Sequence, residues 1–162
     1  MDGWCATCFK HIFATDKRSV VIYQKGPEIK VRNYLNINYT GFIHDQTIYT
    51  ENCECTHRRR IDHRKIIKNT MLAIETDEGQ HKGYDKKDEE IRYDDLVMVF
   101  TGNWIFIRFN PDSYIDNKGN KQNTQLETRL EVLKNVIDEQ IRKIEDGENR
   151  MIEIIKLFFD GY

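Results

Sequence analysis

The sequence predicts an α/β protein in which helices flank a mixed central sheet. Two β-rich runs, Arg60–Ile67 and Met71–Asp77, are separated by only a few polar residues, which is typical of a β-hairpin. A third run, Trp104–Asn110, is aromatic and β-branched and is followed by Pro111, which predicts a buried strand. Segments with a helical spacing of apolar residues lie between and after these strands. This alternation of strands and helices favours a layered α/β arrangement.

Length and composition limit what the protein can be. The chain has 162 residues, which fits one domain, and its 39% hydrophobic and 32% charged residues favour a folded chain over a disordered one. A formal net charge of -2 excludes a histone-like protein, so any contact with nucleic acid must be local. No apolar run reaches the roughly 18 residues of a membrane span, and the N-terminus lacks a basic flank before an apolar stretch. We therefore expect an intracellular protein that is not secreted.

The N-terminal part, residues 1–57, contains all the cysteines. They fall in two close pairs, which are Cys5 with Cys8 and Cys53 with Cys55. In a reduced chain such pairs indicate metal ligation before disulfides, and four thiolates suffice for a closed tetrahedral zinc site. His11 and His57 are further candidate ligands. The alternative is that the thiols are simply buried or idle.

Two elements are predicted between the cysteine pairs. Val20–Tyr23 is a short β-like run, and Glu28–Ile37 has the apolar spacing of a helix. His44 follows this helix and is interpreted as structural or solvent-facing.

The hairpin brings carboxylates together. A turn at Lys68 and Asn69 sets Asp62 opposite Glu75, and a turn shifted by one residue sets Asp62 opposite Asp77, on the same face as Glu75. Two carboxylates that close repel each other unless a cation lies between them, and oxygen ligands suit Mg²⁺ or Mn²⁺. Surface hairpins also carry acidic residues for solubility. A site is favoured because the carboxylates interrupt an apolar strand at its end, where sites are often built.

Basic and proton-transferring residues lie around these carboxylates. Basic residues precede the first strand of the hairpin or lie along it; they are Arg58, Arg59, Arg60, Arg64, Lys65 and Lys68. Gln80 and His81 come soon after the second strand. Hydrolysis of a phosphodiester needs cations to hold the polyanion, a divalent metal ion and a nearby base, so this combination indicates phosphodiester chemistry.

The C-terminal half is predicted to be mainly helical. An acidic start at Asp85 leads into a helix that ends near Gly102. Thr124 and Glu127 form a capping-box pattern that opens a long amphipathic helix. A last short helix is predicted over Glu148–Phe159.

Other charged residues have ordinary structural explanations. His63 points away from Asp62 and is interpreted as a surface or phosphate-contacting residue. Arg92 is interpreted as a partner of acidic neighbours on its own helix. Arg108 has two alternatives: it reaches the edge of the site, or it forms a structural salt bridge to the acidic helix.

The series IDHRKII, MLAIETDEGQH, DEEIR with a following Leu96, and WIFIRFN resembles the PD-(D/E)xK nuclease superfamily, in its branch near very-short-patch-repair endonucleases. The resemblance covers about Arg58–Pro111. The whole chain also resembles proteins encoded by large DNA viruses of eukaryotes, which implies the cytoplasm or nucleus of an infected host. The family implies a restriction-endonuclease-like fold, here with an N-terminal zinc-binding element and a C-terminal helical extension.

The resemblance also implies roles for single residues. Asp62 and Glu75 hold the metal ion, and Asp77, which stands where the family often has Lys, is a further candidate metal ligand and catalytic residue. His81 falls where the patch-repair branch has its catalytic His, and Gln80 orients a ligand or water. The chain departs from the motif in Asp77 and in Ile61, which stands in place of Pro. Without the Lys, the base must be His81, a metal-bound water or the substrate phosphate.

We therefore expect a single domain with a catalytic core at residues 58–111 and C-terminal helices at residues 124–160. The expected activity is that of a Mg²⁺- or Mn²⁺-dependent DNA endonuclease with a structural Zn²⁺ and no small-molecule cofactor. The alternatives are a catalytically inactive, zinc-stabilised DNA-binding or adaptor module, and an RNA nuclease.

Overall fold

The computed structural model describes residues 3, 8–9, 12–19, 26–48, 60–81 and 86–162. We number its helices and strands in chain order. They are α1 (Pro27–Asn38), β1 (Ile43–Thr47), β2 (Arg60–Ile67), β3 (Thr70–Thr76), a 3-10 helix (Glu78–His81), α2 (Lys86–Val99), β4 (Asn103–Phe109), β5 (Tyr114–Ile115), β6 (Lys121–Gln122), α3 (Leu126–Asp146) and β7 (Ile152–Leu157).

The main sheet has five strands in the order β1-β2-β3-β4-β7 within the described residues. The first three strands pair antiparallel, and β3, β4 and β7 pair parallel. A two-residue turn joins β2 to β3, and such a turn can connect only antiparallel strands. The helices α2 and α3 supply the long crossovers that parallel pairing needs. The predicted α/β class with a mixed sheet flanked by helices is therefore confirmed.

Alternate residues of the sheet pack on two different helical layers. On β3, Leu72 and Ile74 lie in one cluster with buried residues of α1 and α3. Met71 and Ala73 point the other way and pack with Leu96 of α2. This alternation follows from the two-residue period of a strand. The α2 face of the sheet is the one that carries the site described below.

The aromatic strand and the long helix lie in the core, as predicted. Trp104, Phe106 and Phe109 of β4 are fully buried, and each contributes on the order of 2 kcal/mol or more of apolar burial. The apolar stripe of α3 packs on the sheet through Leu133 and Ile137. The helix α1 matches the predicted helix closely, and it packs through Val31 and Leu35.

Two predictions about the C-terminal half are wrong. Residues 148–159 do not form a helix, because Ile152–Leu157 is a strand that pairs in parallel with β4. Its β-branched residues favour extended backbone, and the open edge of β4 provides the backbone partners that a short isolated helix lacks. The capping box is also absent: the N-cap of α3 is Gln125, with no side-chain cap.

Several predictions fall on residues outside the described part of the chain. These are the strand Val20–Tyr23, the residues Cys5, Cys53 and Cys55, and the candidate ligands His11 and His57. No helix in the described ranges is long and apolar enough to cross a membrane.

Candidate functional site

The candidate site lies where the parallel strands β3 and β4 end. Glu75 pairs in register with Arg108 of β4, and Asp77 follows β3 directly. Since parallel neighbours in register point to the same face of the sheet, the Glu75 and Arg108 side chains both face the layer formed by α2. Loops at the carboxyl ends of parallel strands are a common location for ligand sites in α/β proteins.

The hairpin brings Asp62 to this edge. Its turn sets Ile67 opposite Thr70, which is the first of the two predicted registers. The ladder of paired residues ends at His63 and Ile74, and the Asp62 carboxylate then accepts a hydrogen bond from the backbone N–H of Thr76 at 2.8 Å. The Asp62 carboxylate thus acts as the acceptor for the Thr76 N–H, in place of a backbone carbonyl, where the β2–β3 ladder ends. Burial raises the pKa of Asp62, although the Thr76 N–H opposes that shift.

Glu75 is a buried carboxylate with an incomplete counter-charge. It is 5% exposed, and its Oε1 accepts a hydrogen bond from Nη2 of Arg92 on α2. Burial raises the pKa of Glu75 to about 7, Arg92 opposes this rise, and the nearby charge of Asp62 adds to it. Arg92 therefore does not fully compensate the loss of hydration at Glu75.

Asp77 has a stronger partner. The Arg108 guanidinium donates from Nε to Asp77, and from Nη1 to Glu89 and to the Tyr93 hydroxyl. Burial alone favours a neutral Arg108, but Asp77 and the other partners raise its pKa, so it stays charged. Both alternatives for Arg108 are therefore observed: it reaches the site, and it forms an ion pair with the acidic helix.

Two carboxylates at this edge share one positive charge among the described residues. Arg92 is the cation that lowers the pKa of both Asp62 and Glu75, and burial raises both. Buried charges are normally paired, so the shortage of positive charge at Asp62 and Glu75 favours either a bound proton or a cation.

The chemistry of the two least compensated carboxylates fits a hard divalent ion. Mg²⁺ keeps several waters and is commonly held by one or two protein carboxylates, which Asp62 and Glu75 supply. Among the described residues, no group of three or more His, Cys, Asp and Glu side chains is arranged to hold a metal ion. Guanidiniums contact carboxylate oxygens of Glu75 and Asp77.

The turn after β3 is held in an unusual conformation. Gly79 and Gln80 have φ values of 63° and 56°, in the left-handed region that a residue such as Gln rarely adopts. The Gln80 side chain contacts Asp160 twice, accepting from its N–H at 3.0 Å and donating to its carboxylate at 2.9 Å. The Gly79 N–H donates to Asp112 at 2.7 Å. The amide predicted to orient a ligand or water thus fixes the turn.

His81 is the last residue of the 3-10 helix, and its side chain lies outside what the structure describes. The turn at Gly79 and Gln80 therefore sets the direction of the backbone at His81.

The predicted phosphate-binding residues contact the protein itself where they are described. Arg60 lies 3.1 Å from Asp45, and Arg64 donates to the carbonyl of Gln46. The Lys65 ammonium lies 6.0 Å from the centre of the Phe42 ring, and Lys68 donates to the carbonyl of Glu145; Arg58 and Arg59 lie outside the described ranges. Arg60 is joined to the site through its carbonyl, which accepts a hydrogen bond from Arg92 at 3.0 Å.

The prediction that His63 lies at the surface is wrong. His63 is fully buried, and its Nδ1 lies 3.0 Å from Nδ1 of His44 on β1. Burial lowers the pKa of His63 to about 3, with smaller contributions from His44 and Arg32. The ring faces the layer of α1 because it pairs with Ile74, whose side chain lies in that core. His44 has the structural role that was one of its two predicted alternatives.

Sequence reasoning missed the part that α2 plays. Arg92 was interpreted as a partner of residues on its own helix, yet it binds Glu75 across the layer. Glu89, Arg92 and Tyr93 are spaced three and four residues apart, which places them on one face of a helix. That spacing, continued by the buried Leu96, was the signal that this face meets the sheet.

The predicted zinc site is described at one position only. Cys8 is exposed, and the other three cysteines lie outside the described residues.

Comparison with known proteins adds no further assignment: no family model, no curated protein and no solved structure matches the chain.

Proposed function

We propose that this protein is a divalent-metal-dependent endonuclease that hydrolyses phosphodiester bonds in DNA. The observation that carries the proposal is the pair of carboxylates at the end of β3, where the buried Glu75 and the half-buried Asp62 share Arg92 as their counter-charge. Carboxylates in such surroundings are frequent at catalytic sites. The motifs around them, noted in the sequence, indicate phosphodiester chemistry.

Each residue has a separate task in this proposal. Asp62 and Glu75 hold Mg²⁺ or Mn²⁺, which would polarise the phosphate and lower the pKa of a bound water. Arg108 holds Asp77 in place. His81 accepts the proton that the attacking water must lose. The turn at Gly79 and Gln80 sets the direction of the backbone at His81.

The test compares cleavage of plasmid DNA, single-stranded DNA and RNA in Mg²⁺ or Mn²⁺. The Asp62→Asn variant should lose cleavage, because it removes an anionic oxygen and keeps the shape of the side chain. Asp94→Asn is the matched control, since Asp94 is exposed on α2. Full activity of Asp62→Asn, or equal losses in both variants, would exclude this site. Cleavage of RNA alone would establish the RNA nuclease alternative.

A second candidate is a nucleic-acid-binding or adaptor module without catalysis. It is favoured by three ion pairs at the site, Arg92 with Glu75, Arg108 with Asp77 and Arg108 with Glu89, which together connect β3, β4 and α2. Titration with Mn²⁺ separates the candidates. A nuclease should bind Mn²⁺ in a manner that depends on Asp62, and an adaptor should not.

The paired cysteines form a second, independent part of the proposal. We infer that Cys5, Cys8, Cys53 and Cys55 bind one structural zinc ion, on the basis of their spacing alone.

A further inference from the structure

The two arginines at the site differ in how firmly they are held. The Arg108 side chain is 3% exposed and contacts Asp77, Glu89 and Tyr93. The Arg92 side chain is 21% exposed, and a single nitrogen, Nη2, makes both of its contacts, to Glu75 and to the carbonyl of Arg60. Arg108 is therefore fixed, and Arg92 is the guanidinium that can move.

Arg92 also has donors to spare. Its Nε and Nη1 make no hydrogen bond to any described residue. A guanidinium presents its donors in a planar fork that matches two oxygens of a phosphate. Arg92 therefore carries both a counter-charge for Glu75 and unused donors, on a side chain that is partly exposed.

We propose that Arg92 is an exchangeable counter-ion: it pairs with Glu75 in the metal-free protein, leaves Glu75 when a divalent cation binds there, and then binds a phosphate of the nucleic acid. This inference rests on the proposed function, because it assumes that Glu75 is a cation ligand. It adds a substrate-binding residue from α2 to the basic residues of the hairpin, next to Arg60.

Electrostatics gives the exchange its direction. The pairing of Arg92 with Glu75 and the binding of a cation by Glu75 compete for the same carboxylate. A divalent ion carries twice the charge of a guanidinium, so it is the stronger partner of Glu75 in the presence of Asp62. Once released, Arg92 lies beside the cation, where a phosphate would satisfy both positive charges.

The competition predicts opposite changes in two affinities, which a merely structural role of Arg92 would not produce. The Arg92→Met variant should bind Mn²⁺ roughly tenfold more tightly than wild type, since removal of the competitor frees Glu75. The same variant should bind a short DNA duplex roughly tenfold more weakly in Ca²⁺, with a salt slope smaller by about one. Both titrations belong at pH 8, above the pKa of Glu75, so that proton binding does not interfere.

Controls separate this inference from a general loss of charge or fold. Arg142→Met removes an arginine that is ion-paired and exposed on α3, and it should change neither affinity. Arg92→Lys keeps the charge and loses the fork, so its Mn²⁺ affinity should stay near wild type while its DNA affinity falls. If Arg92→Met does not fold, the wild-type protein still gives an answer by nuclear magnetic resonance: Mg²⁺ should shift the Arg92 Nε–H signal more than that of Arg108.

The outcomes are distinguishable. Wild-type protein that binds no Mn²⁺ would overturn the proposed function itself. Wild-type protein that binds Mn²⁺, with unchanged or weaker Mn²⁺ binding in Arg92→Met, would overturn the exchange and leave the nuclease proposal in place.

Discussion

At the scale of single residues, burial gives two side chains of the hairpin opposite responses to pH. Burial raises the pKa of Glu75 to about 7, and it lowers the pKa of His63 to about 3. The two residues lie on opposite faces of the sheet, one toward α2 and the other toward α1. Burial favours the neutral form of both side chains, which is the protonated form of Glu75 and the deprotonated form of His63. Their contributions to the free energy of unfolding therefore change with pH in opposite directions.

The sign of each effect follows from which state binds more protons. The neutral His63 of the folded protein binds fewer protons than the unfolded chain between pH 3 and 6.5, so stability falls as pH falls through this range. Folded Glu75 binds more protons than the unfolded chain between pH 4.5 and 7, so stability falls as pH rises through that range. The two effects oppose each other between pH 4.5 and 6.5.

Glu75→Gln should therefore make the protein more sensitive to acid. The variant removes the opposing effect, so the free energy of unfolding should fall more steeply from pH 6.5 to 4.5, by up to about 1.4 kcal/mol more per pH unit than in wild type. Urea unfolding at several pH values measures this slope. The exposed Glu90 on α2 provides the control Glu90→Gln, which should match wild type. If the free energy of unfolding changes with pH at the same rate in all three proteins, Glu75 is not a buried carboxyl group with a raised pKa.

A second residue-scale prediction concerns proton transfer. His81→Ala should slow single-turnover cleavage roughly 10²- to 10⁴-fold, because the chain offers no lysine two residues after Glu75 to act as the base. Binding of DNA and Mn²⁺ should stay close to wild type. Rates measured against pH at saturating metal test the role: an unchanged rate would remove His81 from catalysis, and rescue by more metal would make it a ligand.

At the scale of elements, close packing between the hairpin and β4 restricts one position strongly. A Cβ atom at Gly102 would lie 2.4 Å from the carbonyl oxygen of Asn69 in the hairpin turn. That oxygen accepts the Asn103 N–H at 2.8 Å, so the turn cannot move away without losing the first contact of β4. Gly102 thus allows the hairpin and β4 to meet.

Gly102→Ala should consequently destabilise the protein by about 1–3 kcal/mol, the usual cost of overpacking. Thermal or urea unfolding measures this loss. Gly26→Ala is a suitable control, since a Cβ there would meet nothing closer than 3.9 Å and it precedes α1 with a φ of −78°. Equal stability of the two variants would show that the turn and β4 are not held as closely as described.

Elements with a strong local signal could be predicted from the sequence. The hairpin register, α1, α2 and β4 follow from turn residues and apolar spacing, which act over short distances. The strand β7 could not, because its residues suit either a short helix or a strand, and the deciding factor is the open edge of β4. The carboxylates of the site were predicted from the hairpin. The contacts of Arg108 were among its predicted alternatives, but the pairing of Arg92 with Glu75 was not predicted, because it joins elements distant in the sequence.

At the scale of the whole molecule, the cysteine pairs would connect the N-terminal part to the segment before β2. Protein purified without chelator should contain about one zinc ion per chain, and Cys5→Ser should lower both zinc content and stability, because metal binding contributes directly to folding. Metal analysis and unfolding measurements check this, with Ala6→Ser as a control between the first two cysteines. Wild-type protein without zinc would contradict the site.

The contact between Gln80 and Asp160 has a consequence for the time at which the site matures. These residues are separated by 80 positions, so the turn that precedes His81 cannot be secured when β3 leaves the ribosome. At about 5–20 residues per second, synthesis of the intervening chain takes roughly 4–16 s. The hairpin is complete when that interval begins and α2 is made early in it, but β7 and the residues after it are made only at its end. A nascent chain therefore contains the carboxylates of the site before Asp160 can hold the turn at Gln80. Any cleavage activity should first appear only after the C-terminal strand has docked.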